Sequence, residues 1–315
     1  MVETKGPWPA PYVRACGRRP HMHTIFRVED GRTRRFLVGA LMATLFASSA
    51  AWAVDRKDLR EWPPQRSAIE ATSVAGGATE RVFELPLISG ERQRVLYVAL
   101  HSPLATIVML PGGSGNIELT RAGDVRRDDN FVVRTRGMWA AKGYAVVIPD
   151  TIDHANLRGV RSSSEYASVV EALIRFAHAQ APGPVFLLGT SQGSIAAANG
   201  AAHAHPGTLA GVVLTESVSR LGGSHETVFD ADLQDIRIPA LVVANRTDRC
   251  NVAPPQDAPK VAAAMGQSPD VHVVEVSGGI EASPNACASL TPHGYYGIEA
   301  RVVGTISDWI RGRPR

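Results

Sequence analysis

From Glu80 onward the chain alternates short apolar runs with amphipathic ones. "ERVFELPL" and "QRVLYVALH" flank "ISGE", the pattern of adjacent antiparallel strands joined by a turn. "ATIVMLPGGSG" is an apolar run that ends in glycines. A helix-like stretch near 131–142 leads to Gly143 and then to "YAVVIPD", a run of the kind buried on both faces. The next helix opens on a capping box, Ser162 with Glu165, and repeats Tyr166, Val169, Val170, Leu173, Ile174 and Ala177 at three-to-four spacing. "PVFLLGTS" predicts a strand and "QGSIAAANGAAHA" a helix. "LAGVVLTES", "IPALVVANRTD", a helix around Pro255–Met265 and "DVHVVEVSGG" continue the alternation. A closing helix sets Ile298, Val302, Val303, Ile306, Trp309 and Ile310 on one side. Short, fully apolar strands alternating with helices predict an α/β fold, a mostly parallel central sheet with helices on both faces. There is no internal repeat and no break in composition, so residues 79–315 read as one domain.

The N-terminal part has a different texture. Residues 54–78 are polar, with Pro63, Pro64 and "AGGAT", and read as a linker or extended arm. Residues 1–53 carry a net charge of +5 and the remainder −2, so the basic balance of the chain lies in this leader. That distribution argues against nucleic-acid binding by the folded part. "RTRRFLVGALMATLFASSAAWAVDRKD" has an arginine-rich start, an apolar run from Phe36, and Ala51-Trp52-Ala53 ahead of charged residues. These are the parts of a cleavable signal peptide, with cleavage expected after Ala53 and a periplasmic or secreted product without a permanent membrane anchor. The apolar run is about 15 residues, against the roughly 20 that a spanning helix needs; an uncleaved anchor is the alternative. Arg34-Arg35 leaves general secretion and twin-arginine export both open. Residues 1–21, with Pro7, Pro9, Pro11 and Pro20, do not resemble an n-region, and Met22 is the expected translation start.

Cys16 lies upstream of the expected cut, which leaves Cys250 and Cys287. An even number in an exported protein predicts a disulfide, with two buried free thiols as the alternative. No C-x-x-C, H-E-x-x-H or acidic calcium loop occurs, so no metal site is expected. No G-x-G-x-x-G opens a strand–helix unit, and no cofactor is expected.

The chemistry gathers at the carboxyl ends of the predicted strands, where open α/β sheets carry their functional groups. Gly189-Thr190-Ser191-Gln192-Gly193 stands between an apolar strand and an alanine-rich helix. In that context a G-x-S-x-G pushes the serine into a strained, exposed position at a helix start, which suits a nucleophile. A serine hydroxyl needs a base, and the base needs an orienting acid. "PALVVANRTD" delivers Asp248 to a strand end, and His293 in "TPHGYYGIEA" precedes the last helix. Glu216, at the end of "VVLTES", is the alternative acid. Asp150 ends "VIPD" and reads as solvated or capping, and His272 as packed or surface-facing within its strand. His178, His203 and His205 read as solvated on helix surfaces. Candidate oxyanion donors are the N–H groups of Gly113, in "LPGGSG", and of Gln192. Ser114, His154, Arg158 and Arg161 are candidate substrate contacts, with Arg134 and Arg136 on the preceding helix. An arginine at the mouth would hold an acidic ester or amide.

Together these residues resemble the α/β-hydrolase superfamily over the chain from about Glu80 onward. The resemblance rests on Pro111-Gly112-Gly113, the Gly189–Gly193 pentapeptide, Asp248 and His293. It is closest to lidless single-domain serine hydrolases of the dienelactone-hydrolase and small-esterase kind. It implies Ser191 as nucleophile, His293 as general base, Asp248 as its orienter, and an oxyanion hole of the Gly113 and Gln192 amides. Dienelactone hydrolases proper use a cysteine nucleophile, so their substrate is not carried over. Pro111-Gly112 stands where a His-Gly is usual. The stretch between "LTES" and "IPALVV" is too short for a large helical cap. The implied activity is cleavage of a small-molecule carboxylic ester. Amide or peptide cleavage by the same triad, and a non-catalytic binding protein of this fold, are the alternatives. A disulfide between Cys250 and Cys287 would tie the loop of the acid to the loop of the base.

Overall fold

The computed structural model describes residues 71–73 and 77–313. The predicted arm contributes a three-residue edge strand there, β1 (Ala71–Ser73), antiparallel to β2 (Thr79–Pro86). The leader, with the expected export signal and Cys16, lies outside the described residues, as does most of the arm. β2 pairs antiparallel with β3 (Arg92–Ala99), the predicted hairpin, and β3 lies antiparallel to β5 (Tyr144–Pro149). The strands β4 (Ala105–Leu110), β5, β6 (Val185–Thr190), β7 (Gly211–Thr215), β8 (Ala240–Asn245) and β9 (Val271–Val276) are parallel. The order across the sheet is β1-β2-β3-β5-β4-β6-β7-β8-β9.

Alternate strand residues feed two separate cores, as parallel strands covered on both faces must. Val108, Leu110, Leu187 and Val242 face α3 (Ser164–Gln180), α4 (Gln192–His203) and α5 (Ala258–Ala264). Ile107, Met109, Leu188 and Leu241 face α1 (Phe131–Arg134), α2 (Arg136–Ala141) and α6 (Glu299–Arg311). The helix predicted near 131–142 is thus two short helices, divided at Thr135. The cap of α3 also differs by one residue from the predicted box. Ser163 Oγ accepts from Tyr166 N at 3.1 Å, because Ser162 N and Oγ are both taken by Glu226, each at 3.1 Å. Residues 216–239, between β7 and β8, hold only two single 3-10 turns and build no cap. Among the described residues no helix is long and apolar enough to cross a membrane.

The chain leaves β4 for β5 on one side and returns to β6 on the other. Loops diverge at such a switch and leave a crevice beyond the strand ends. Leu110 registers with Gly189, so Pro111–Gly113 lies beside Ser191.

Candidate active site

Ser191 sits between β6 and α4 with φ 53° and ψ −124°, a conformation that costs a non-glycine residue about 1–3 kcal/mol. The flanking glycines permit it through close backbone contact. A Cβ at Gly189 would stand 2.1 Å from Gly193 O, and one at Gly193 2.0 Å from Leu110 O. Gln192 opens α4, so its N–H is a first-turn donor without a helical partner. Its side chain is committed elsewhere, with Nε2 donating to Ser224 Oγ at 2.9 Å. Gly113, at φ 61°, lines the cavity beside Ser191.

Ser191 Oγ lies 2.9 Å from His293 Nε2, and His293 Nδ1 lies 2.7 Å from Asp248 Oδ2. A carboxylate only accepts, so Nδ1 carries the proton and Nε2 is left to accept from the hydroxyl. His293 and Asp248 are buried, at 3% and 7% exposure. Each is fixed by neighbours. His293 lies in the 3-10 turn Pro292–Gly294, where Thr291 Oγ1 accepts from His293 N at 3.2 Å. Asn245, the last residue of β8, donates through Nδ2 to Pro292 O at 2.9 Å and Gly278 O at 2.8 Å. Arg134 donates to Gly294 O and pairs with Glu299 at 2.9 Å. Asp248 Oδ1 accepts from Cys250 N at 2.7 Å, and Cys250 is disulfide-bonded to Cys287, which lines the cavity. The disulfide therefore joins the acid's loop to the segment that precedes the histidine.

Glu216, the alternative acid, is not the partner of His293. It follows β7 with φ 44°, is 1% exposed, and accepts from Asn245 N through Oε1 at 2.7 Å. Burial pushes its carboxyl well above the usual range, and the charge of Asp248 pushes it further. The protonated form of Glu216 is therefore favoured over the ionised one. Its other oxygen, Oε2, is buried with no donor paired to it, which suits an O–H directed at Asp248. The buried Tyr295 hydroxyl donates to Val243 O at 3.1 Å, and burial raises it well above the usual phenol range. Ligating atoms of Glu216, Asp248 and His293 lie within 4.8 Å of one another. The direct Asp248–His293 bond, at 2.7 Å, and the burial that favours the protonated Glu216 suit a proton-sharing group.

The cavity over Ser191 is open and about 400 Å³. Ser114, Asn116, Arg126 and Arg158 line it, and a Cβ at Gly113 would lie 3.6 Å from Arg158 Nη2. His154 borders an adjoining cavity of about 760 Å³, with Nδ1 3.4 Å from Asn116 Oδ1. Arg161 does not meet the entrance. It is 1% exposed behind the Pro111 loop and donates to Pro111 O at 3.3 Å; burial lowers its affinity for its proton. Arg134 serves Glu299 and Gly294 as described, and Arg136 is held by Glu80 at 2.7 Å, which takes both away from substrate. Of the two readings of Asp150, solvated or capping, its burial leaves the second. Asp150 accepts from Ile117 N at 2.9 Å, Leu119 N at 2.8 Å and Thr151 N at 2.8 Å, and so shapes the loop after Ser114. His272 is exposed beside Asp270 at 2.8 Å, and His178 faces Thr208 O at 2.8 Å. Arg126, Asn116 and Asn245 are site residues that sequence reasoning missed. Only Asn245 had a signal, a polar residue ending an apolar run.

No family model matches this chain, and no curated protein matches it in sequence. By fold it is similar to an esterase of Pyrococcus furiosus, with a TM-score of 0.55 and 10% identity over 78% of this chain and 98% of that one. A dienelactone hydrolase of Anabaena variabilis gives 0.51 and 14%, over 75% and 99%. An acylaminoacyl peptidase of Pyrococcus horikoshii gives 0.52 and 12%, over 74% of this chain but 41% of the peptidase, so the chain spans less than half of that protein. The shared architecture is the α/β-hydrolase fold, here without a large cap.

Proposed function

We propose that the chain is a serine hydrolase that cleaves carboxylic esters through an acyl-enzyme. The observation that carries this reading is the continuous chain of bonds Ser191–His293–Asp248, at 2.9 and 2.7 Å, opening into a cavity. Ser191 Oγ attacks the ester carbonyl while His293 Nε2 takes its proton, and Asp248 holds the ring and stabilises the imidazolium. The N–H groups of Gly113 and Gln192 receive the oxyanion, helped by the N-terminus of α4. His293 then gives the proton to the departing alcohol, and water releases the acyl group by the same steps in reverse. The leader supports export with removal up to Ala53, and a disulfide in the folded part suits an oxidising compartment; N-terminal sequencing of the mature protein checks this.

A fluorophosphonate probe and a panel of p-nitrophenyl esters of varied chain length test the reading. Labelling is expected at Ser191 and is lost in Ser191→Ala, with kcat/KM down by about 10⁴ or more. Unlabelled native protein without ester turnover would sink the assignment and favour a binding role. Faster turnover of matched amides would move it to an amidase.

A further inference from the structure

The charge around Ser191 is distributed differently from the charge of the molecule. Residues 54–315 carry a net charge of −2. Yet Arg126, Arg127 and Arg158 line the cavity at Ser191 against one acidic residue, Asp129. The adjoining cavity shares Arg126 and Arg127 and adds Arg94 and Arg121, against Glu118 alone. Most of these arginines are engaged. Arg127 pairs with Glu118 at 2.6 Å, Arg121 with Glu84 at 3.5 Å, and Arg94 donates to Leu119 O at 2.7 Å. Two are not. Among the described residues Arg126 has no acidic partner, and Arg158 reaches only Asn156 Oδ1, at 3.5 Å. Both are exposed and both border the space that holds Ser191 and His293. Arg158 also stands over the candidate oxyanion loop, at Gly113.

Like charges gathered without counter-ions raise the local concentration of anions and leave guanidinium forks free for bidentate bonds. We infer that Arg126 and Arg158 form an anion subsite at the mouth of the Ser191 cavity, and that the preferred substrates are esters bearing a carboxylate. This rests on the serine-hydrolase reading and narrows its substrate class. Arg126 borders both cavities, so the carboxylate group lies toward the second cavity while the ester carbonyl lies at Ser191. The site is solvated, so the attraction is screened by salt.

Two pairs of esters test the inference and separate the two sides of the scissile bond. Monomethyl adipate against methyl hexanoate places the charge on the acyl side, and 4-acetoxybenzoate against phenyl acetate places it on the alcohol side. With the native enzyme at low ionic strength, the charged member of at least one pair is expected to have the higher kcat/KM, by about tenfold or more. The ratio shrinks as NaCl rises to about 0.5 M. It falls toward one in Arg126→Gln with Arg158→Gln, recovers in part in the corresponding lysine variants, and drops below one when both are replaced by Glu. Ratios near one in the native enzyme, or ratios that the double Gln variant leaves in place, would overturn the subsite. If Arg158 acted only on the developing oxyanion, its loss would slow both members equally, and the unchanged ratio would count against the subsite. Intact probe labelling of Ser191 with flat ratios removes this inference alone; absent labelling and turnover remove the hydrolase reading with it.

Discussion

The two sides of Ser191 are built on opposite terms. On one side Glu216, Asp248 and His293 are at most 7% exposed, and hydrogen bonds fix each of them. On the other side Arg126 and Arg158 stand in water on loops, with no acidic partner among the described residues. The difference fits what the proposed reaction and the proposed subsite ask of each side. Proton transfer along a chain of bonds at 2.7 and 2.9 Å needs fixed, desolvated groups. Attraction of a charged substrate works at longer range and tolerates mobile side chains, at the cost of sensitivity to salt.

The sharpest way to break the comparison is at Asp248. Asp248→Asn leaves the shape but releases the imidazole to the wrong tautomer, and kcat is expected to fall by about 10³–10⁴-fold. Near-native turnover would mean that Glu216, within 4.8 Å, substitutes for it, and that the buried side is less fixed than it looks. A smaller effect is expected from Cys250→Ala with Cys287→Ala. The chain-entropy cost of opening the 37-residue span is roughly 3–4 kcal/mol, which a domain of this size can survive at 25 °C. Activity, however, is expected to drop about tenfold or more while circular dichroism stays native, because the loops of acid and base lose their tie. Full activity in a folded double variant would show that the tie serves stability only.

The mildest change is Glu216→Gln. Burial holds the folded carboxyl well above the ordinary range of a glutamate, so the native state keeps a proton that the unfolded state releases more readily. Stability from this group is full below about pH 4.5 and declines as pH rises toward the folded value. Glutamine keeps an acceptor for Asn245 N and a donor for Asp248 without that cost. Its Tm is expected to exceed the native value at pH 8, with about 2–4 °C for each kcal/mol gained, and the gap to close near pH 4. Equal Tm across that range would show that Glu216 is ionised in the fold.

The sequence carried the sheet's class because each strand is a short, wholly apolar run, and it carried the order Ser191, Asp248, His293 because each follows such a run or precedes the last helix. The capping of α3 was off by one residue. Ser162 and Ser163 are equivalent on paper until Glu226, 64 residues away, claims the first. Asp150 reads as solvated or capping for a similar reason, since a polar residue ending a strand looks the same whether it meets water or, as here, three backbone N–H groups. Arg161 differs from Arg158 only in which way a loop turns, and no periodicity records that. Arg126 lies in a polar loop with no pattern, and only the folded chain brings it beside Ser191.

The backbone contacts at Gly189 and Gly193 also bear on how this protein is able to change. A single methyl group at position 193 would collide with the main chain of the neighbouring strand end at 2.0 Å, so heredity has almost no freedom there. The Arg126 and Arg158 side chains, by contrast, are exposed, and Arg158 reaches only Asn156, so those two positions accept replacement far more freely. A mutant library aimed at the rim would be rich in folded proteins with new preferences, while one aimed at the pentapeptide would return mostly wreckage.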